Sequence, residues 1–248
     1  YVHRLSAVSR VVEFFFPLSL LEEQSSSDLI ERLRERLRAP LPGRSAQRRF
    51  EPAWAFGRHF DRPSSRARRA AVLLLVYPRD GVWHLPLTVR PRHLASHGGQ
   101  ISLPGGVIEP GETAHAAALR ELHEELGVTA ESLSILGPLT PLFIFGSGYF
   151  VEPWLAATTR ELRFLPNVDE VAEVVEAPVA ALCDPSAWGR HRLRTRGIVH
   201  EAPHLLCGAH RVWGATAMIL GEFAALYDDV AACAPFAPAT PVLSREAS

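Results

Sequence analysis

The chain contains no lysine; all 26 of its basic side chains other than histidine are arginine. A lysine nucleophile is therefore excluded, and phosphate contacts fall to arginine, histidine and backbone N–H groups. Cysteine is scarce as well. Cys183, Cys207 and Cys233 are odd in number, far apart and without a C-x-x-C pair, so neither a disulfide framework nor a zinc site is indicated and buried free thiols are expected. No early apolar run is long enough to cross a bilayer: Val11 to Leu21 is interrupted by Glu13 and Pro17. A broad charge of one sign is also missing. With a net charge of −1 the chain offers no extended basic field to nucleic acid.

What remains is ordinary globular composition. The 248 residues, 47% of them hydrophobic, suffice for one sizeable core with extensions. No membrane or nucleic-acid partner is expected, and a cytoplasmic location is the default. The sequence opens on Tyr1 rather than Met, which reads as a truncated or processed start. Its Arg-bearing stretch before Glu13 leaves an organelle-targeting remnant open. Residues 27–40 read as an amphipathic helix with Ile30, Leu33 and Leu37 on one side, stopped by Pro40. The Pro-, Arg- and Ser-rich stretch 40–68 reads as a linker, making 1–65 an N-terminal extension, 66–232 the main domain and 233–248 a loose tail.

The informative stretch is Gly105 to Val128, GGVIEPGETAHAAALRELHEELGV. Pro110-Gly111 signals a turn, Thr113 an N-cap and Gly127 an αL C-cap, which together predict a helix between them. Leu119, Leu122 and Leu126 form its apolar stripe, while Glu121, Glu124 and Glu125 share another face. Three carboxylates this close repel one another unless cations sit among them. Oxygen ligands of this kind suit Mg²⁺ or Mn²⁺, so the face reads as a metal platform for a phosphate substrate. Gly105 and Gly106 let the backbone approach the platform, with the Gly105 carbonyl a further candidate ligand, and Arg120 can tie back to Glu112.

Gly106, Glu112, Arg120, Glu121, Leu122, Glu124, Glu125, Gly127 and Val128 fit G-x5-E-x7-R-E-U-x-E-E-x-G-U, with U aliphatic, at every fixed position. The stretch resembles the signature box of the Nudix hydrolases. Upstream, Leu87, Thr88, Arg90, Gly99, Pro104, Gly105 and Gly106 match the segment L-L-T-x-R-[SA]-x3-R-x3-G-x3-F-P-G-G of the coenzyme A pyrophosphatase branch. Departures are Pro86, Pro91, Ala95 for the second Arg, and Leu103 for Phe. SGYFVEPWLA (147–156), NVDEVAEVVEAP (167–178) and VWGATA (212–217) resemble further segments of that branch.

The resemblance implies an α/β/α sandwich with a mixed sheet, beside the N-terminal helical extension. It also implies metal-dependent cleavage of the diphosphate of coenzyme A, or a derivative, to 3′,5′-ADP and 4′-phosphopantetheine. Glu121, Glu124, Glu125, Arg120 and Glu112 are the catalytic candidates, and Arg90, Arg92, His97, Gly105 and Gly106 the substrate-binding ones. Glu170 and Glu173 are candidates for a further carboxylate. The alternatives are hydrolysis of another nucleoside diphosphate derivative such as ADP-ribose, or a ligand-binding module without turnover. A small-molecule nucleotide is the expected partner, with a homodimer left open. Ala70–Val76 and Trp83–Val89 read as a hairpin at a sheet edge, Trp213 as core packing, and a C-terminal helix runs through Tyr227.

Overall fold

The computed structural model describes residues 18–93, 98–195 and 197–231. The apolar run before Leu18, the loop positions Ala95 and His97, and the tail with Cys233 lie outside the described residues. Helices α1 (Leu18–Arg36) and α2 (Gly43–Arg48) and two 3-10 turns, Ala53–Ala55 and Arg58–Phe60, precede the sheet. The main sheet then comprises β1 (Arg68–Arg79), β2 (Val82–Val89), β3 (Ile101–Ser102), β4 (Gly105–Val107), β5 (Ser134–Pro138), β6 (Leu142–Ile144), β7 (Tyr149–Ala157) and β8 (Glu173–Pro178). Helix α3 (Ala114–Leu126) lies between β4 and β5, and α4 (Val179–Cys183) follows β8. A second sheet of β9 (Trp188–Thr195), β10 (Ile198–Cys207) and β11 (His210–Trp213) leads into α5 (Ala215–Ala231).

The apolar run in β1 is continuous because both faces of this strand are buried. Ala71, Leu73, Leu75 and Tyr77 pack against α3, while Ala70, Leu74 and Val76 join the cluster containing Met218, Phe223 and Leu226 of α5. That two-sided burial is the α/β/α sandwich. The strand is therefore central, not at an edge as expected: β1 runs antiparallel to β2 and β4 and parallel to β7, with strand order β3-β2-β1-β7-β5. The β1–β2 turn is the two-residue Asp80-Gly81, both at positive φ, which matches the strand twist. A parallel β1–β7 pair needs a crossover, and α3 lies within it. It places that helix against the sheet, with its C-terminal half beside β4.

Several expectations are corrected by packing. Residues 40–68 are not a passive linker, because α2 docks on α5: buried Gln47 donates to Glu222 Oε2 at 2.7 Å and to the Thr140 carbonyl at 2.8 Å. Glu222 also accepts from the N–H groups of Gly43 and Thr140, so its charge, although pushed toward protonation by burial, has donors on several sides. Helix α1 begins at Leu18, nine residues before the expected Ser27, and its Ile30 and Leu33 sit in the same core as α5. Helix α5 continues four residues past Tyr227. Cys207 is buried as expected, but Cys183 is exposed at the end of the short α4, its thiol 3.8 Å from the Ala224 carbonyl. Trp213 is only half-buried, because β11 is an outer strand of the second sheet.

Phe50 stacks between Trp188, with ring centroids 4.0 Å apart, and the backbone of Gly221. A Cβ at position 221 would lie 2.0 Å from the Phe50 ring. Alanine at a helical glycine usually gains up to about 1 kcal/mol, but overpacking costs about 1–3 kcal/mol, so the clash wins. Gly221→Ala is therefore expected to lower unfolding stability by about 1–2 kcal/mol, measured by urea denaturation; a gain in stability would refute this packing.

Candidate functional site

Helix α3 is built as its sequence dictates. Thr113 Oγ1 accepts from the Ala116 N–H at 3.4 Å, and Gly127, at φ 70°, closes the helix with its N–H on the His123 carbonyl. Ala114, Ala117, Ala118, Leu122 and Leu126 bury its inner face, with Leu119 only partly covered. Glu125 occupies that same stripe, three residues after Leu122 and seven after Ala118, where an apolar side chain would be expected. It is 5% exposed.

The three helical glutamates thus part company. Glu121 is half-buried and Glu125 buried, whereas Glu124 is exposed and pairs with Arg120 at 2.9 Å. The third carboxylate at the cluster is Glu170, from the loop before β8: carboxylate oxygens of Glu121, Glu125 and Glu170 lie within 4.8 Å of one another. Asn167 sets that loop in place. Its N–H donates to the Glu125 carbonyl at 2.9 Å, its side-chain Nδ2 to Glu170 Oε1 at 3.2 Å, and its carbonyl accepts from the N–H groups of Glu170 and Val171. Sequence reading marked Glu170 without distinguishing it from Glu173; Asn three residues ahead was the available signal. Glu173 turns away to His210, at 3.1 Å, and the Asp169 N–H donates to Asn167 Oδ1 at 3.2 Å, so that Asn167 caps this turn.

The glycines fit the cluster by close approach. A Cβ on Gly106 would fall 2.2 Å from Glu121 Oε1, and one on Gly105 would fall 2.3 Å from the Ala71 carbonyl, so only glycine lets β4 run between β1 and the carboxylate. The Gly105 N–H also supports the Glu125 carboxylate. Arg120 spans the loop as expected: it donates to both oxygens of Glu112 at 3.1 and 3.2 Å, to Glu121 Oε1 at 2.9 Å and to the Val107 carbonyl at 3.0 Å. It holds the Glu112 carboxyl below its usual range. Glu112 in turn accepts from the Glu109 N–H, which closes the turn before the helix.

Of the expected substrate contacts, Arg90 follows β2, and its charge acts on Glu125. Arg92 is exposed beside Gly99, its Cγ 3.5 Å from where a Cβ of that glycine would sit. Pro91 and Leu103, two departures from the branch pattern, are buried packing positions.

The electrostatics are unresolved without a cation. Burial pushes Glu125 up to about 8, aided by the charges of Glu121 and Glu170 and opposed by Gly105 and Arg90. Burial raises Glu121 as well, against the pull of Arg120. At an effective dielectric constant of about 20, unit charges this close repel by about 3 kcal/mol per pair. Glu125 Oε2 is buried without a hydrogen-bond partner. A buried orphan oxygen within a convergent all-oxygen set fits a hard divalent cation such as Mg²⁺ or Mn²⁺.

Fold and site together define an α/β/α domain built around a carboxylate cluster beside the Gly-Gly start of β4. Comparison with known proteins agrees: residues 67–195 match the NUDIX domain. A protein of Photorhabdus laumondii named uncharacterized Nudix hydrolase NudL is 35% identical over 164 residues, covering 66% of this chain and 87% of that one. Its namesake in Yersinia pestis is 34% identical over 162 residues, covering 65% and 80%. The crystal structure of RenU, a Nudix hydrolase from M. smegmatis, is a looser likeness, with 29% identity, a TM-score of 0.40 and coverage of 46% of this chain and 72% of that one. The chain belongs to the Nudix family and is a Nudix hydrolase.

The raised Glu125 has a thermodynamic sign. In metal-free protein the folded state holds this proton to about pH 8 while the unfolded state releases it near 4.5, so this group costs stability as pH rises between them. Glu125→Gln is expected to raise the melting temperature in chelator at about pH 8, to leave it nearly unchanged at about pH 4, and to abolish stabilisation by Mg²⁺. A drop in the chelated melting temperature at the higher pH would contradict this.

Proposed function

We propose that this Nudix hydrolase cleaves the diphosphate of coenzyme A or an acyl derivative, yielding 3′,5′-ADP and 4′-phosphopantetheine or its acyl form. The observation that carries the reading is the coincidence of the carboxylate cluster with the flanking segments Leu87 to Gly106, SGYFVEPWLA and VWGATA. The first of these runs in sequence from β2, through Arg90 and Arg92, to the Gly105-Gly106 start of β4, against which Glu121 lies.

In this reading Glu121, Glu125 and Glu170 would hold Mg²⁺ or Mn²⁺, with the Gly105 carbonyl as a further candidate ligand, while Glu124, exposed and paired with Arg120, lies outside the set. The cation supplies neutralisation of the diphosphate oxygens and a water acidic enough to attack phosphorus. Glu121 and Glu170 are the carboxylates placed to take the proton of that water. Arg120 and Glu112 keep Glu121 and the preceding loop in position. Arg90 and Arg92 would meet substrate phosphate. As the water oxygen bonds to phosphorus, the bridging P–O bond would break with its electron pair staying on the leaving phosphate, whose charge Arg90 would meet.

Ala95, where the branch pattern has its second arginine, favours a second reading in which the substrate is another nucleoside diphosphate derivative such as ADP-ribose. The buried Pro91 and Leu103 weigh less against coenzyme A, since they are packing positions. Purified protein incubated with Mg²⁺ or Mn²⁺ and either coenzyme A or ADP-ribose, with products separated by chromatography and weighed by mass spectrometry, decides between them. The proposal expects 3′,5′-ADP and phosphopantetheine from coenzyme A, lost in chelator and in Glu121→Gln. Brisk ADP-ribose cleavage beside intact coenzyme A would overturn it.

A further inference from the structure

The second sheet takes no part in the chemistry described so far, yet it touches the segment that carries Glu170. The β10–β11 turn at Gly208, φ 58°, brings His210 opposite Cys207, and the His210 imidazole Nε2 lies 3.1 Å from both carboxylate oxygens of Glu173. Glu173 is the first residue of β8 and pairs in register with Val89, the neighbour of Arg90. The preceding Ala172 N–H donates to the Val89 carbonyl at 2.8 Å. Strand β11 also runs beside β3, which leads through Pro104 into the Gly105-Gly106 start of β4.

The seven residues from Asn167 to Glu173 are therefore held at both ends. Asn167 is fixed to the last turn of α3 through the Glu125 carbonyl, and Glu173 is fixed to the second sheet through His210. Glu170 sits between these anchors, with an oxygen in the carboxylate cluster. We propose that His210 is a positioning residue for the cluster: through Glu173 it holds the Glu170 loop and the end of β2 bearing Arg90, so that the second sheet is a brace for the cation site. Partners that orient metal-binding groups from outside the ligand set commonly change affinity or activity by about 10–100-fold. A half-exposed ion pair contributes little to global stability, so loss of the brace is read in the site and not in the melting temperature.

The inference rests on the reading of Glu121, Glu125 and Glu170 as cation ligands, and the test keeps the two apart. Mn²⁺ affinity of the full chain is measured by electron paramagnetic resonance titration for His210→Phe, His210→Gln, Glu173→Met, the pair His210→Phe with Glu173→Met, and Glu170→Gln. His210→Phe and Glu173→Met, neither of which keeps a partner for the other residue, are each expected to weaken Mn²⁺ binding about tenfold. His210→Gln, which keeps an N–H donor, recovers most of that loss, and the double variant binds no worse than either single one because both remove the same contact. Wild-type affinity in His210→Phe and Glu173→Met, or losses that add in the double variant, would overturn the brace. A loss in Glu170→Gln with none in His210→Phe removes the brace alone, whereas no loss in Glu170→Gln removes the cation reading beneath it. Should His210→Phe fail to fold, Glu173→Met carries the test, since Glu173 is exposed.

Discussion

A glutamate is buried where a leucine would be expected. The Glu125 carboxylate sits in the inner stripe of α3, within 4.8 Å of two other carboxylates and with one oxygen unpartnered. In a folded chain such a group must gain a proton or a cation, because burial and two like charges both oppose its ionised form. Much of the surrounding architecture serves to present it. The two-sided burial of β1 fixes the sheet, the crossover fixes α3 on the sheet, and the glycines of β4 let the backbone pass under Glu121 without moving its carboxylate. Arg120 works in the opposite direction to the cluster. By engaging Glu112, Glu121 and Glu124 together it limits the repulsion at the outer side, so that the unmet charge is concentrated on the inner side where Glu125 and Glu170 lie.

The regular parts of the fold were legible because each followed from local chemistry. Thr113 and Gly127 bound α3 at both ends, Asp80-Gly81 make a turn that the strands flank, and AAVLLLV has the unbroken apolar character of a strand covered on both faces. Continuous hydrophobicity without alternation argues for the central position that β1 holds rather than for an edge. Residues 40–68 misled because proline and arginine content suggests a loop, while what organises the segment is nonlocal. Phe50 fits over Gly221, and Gln47 meets Glu222 some 175 residues away. No local pattern encodes either contact.

At the site, spacing puts Glu121, Glu124 and Glu125 on one side of the helix, whereas the structure turns Glu124 outward and brings Glu170 to Glu121 and Glu125 instead. Positions 124 and 125 differ by one helical step, about 100°, and that step separates an exposed glutamate paired with arginine from a buried one without a full set of partners. Glu170 and Glu173 presented the same ambiguity, resolved by Asn167 for the first and by His210 for the second. The second sheet is not legible in the sequence. Its turn glycines Gly197 and Gly208 are visible in the sequence, but the strands between them mix arginine, histidine and proline and lack a clean apolar alternation.

The central claim, that the buried Glu125 is a protonated acid which a divalent cation deprotonates, is open to one direct measurement. Mn²⁺ binding to the metal-free protein can be followed by calorimetry in two buffers of different ionisation enthalpy, which counts protons released per cation. With Glu125 held up to about 8, binding near pH 7 should release about one proton and binding near pH 9 far fewer. Release near pH 7 that is absent, or that does not decline as pH rises, would mean that Glu125 is already ionised in the metal-free fold and that the account of the site is wrong.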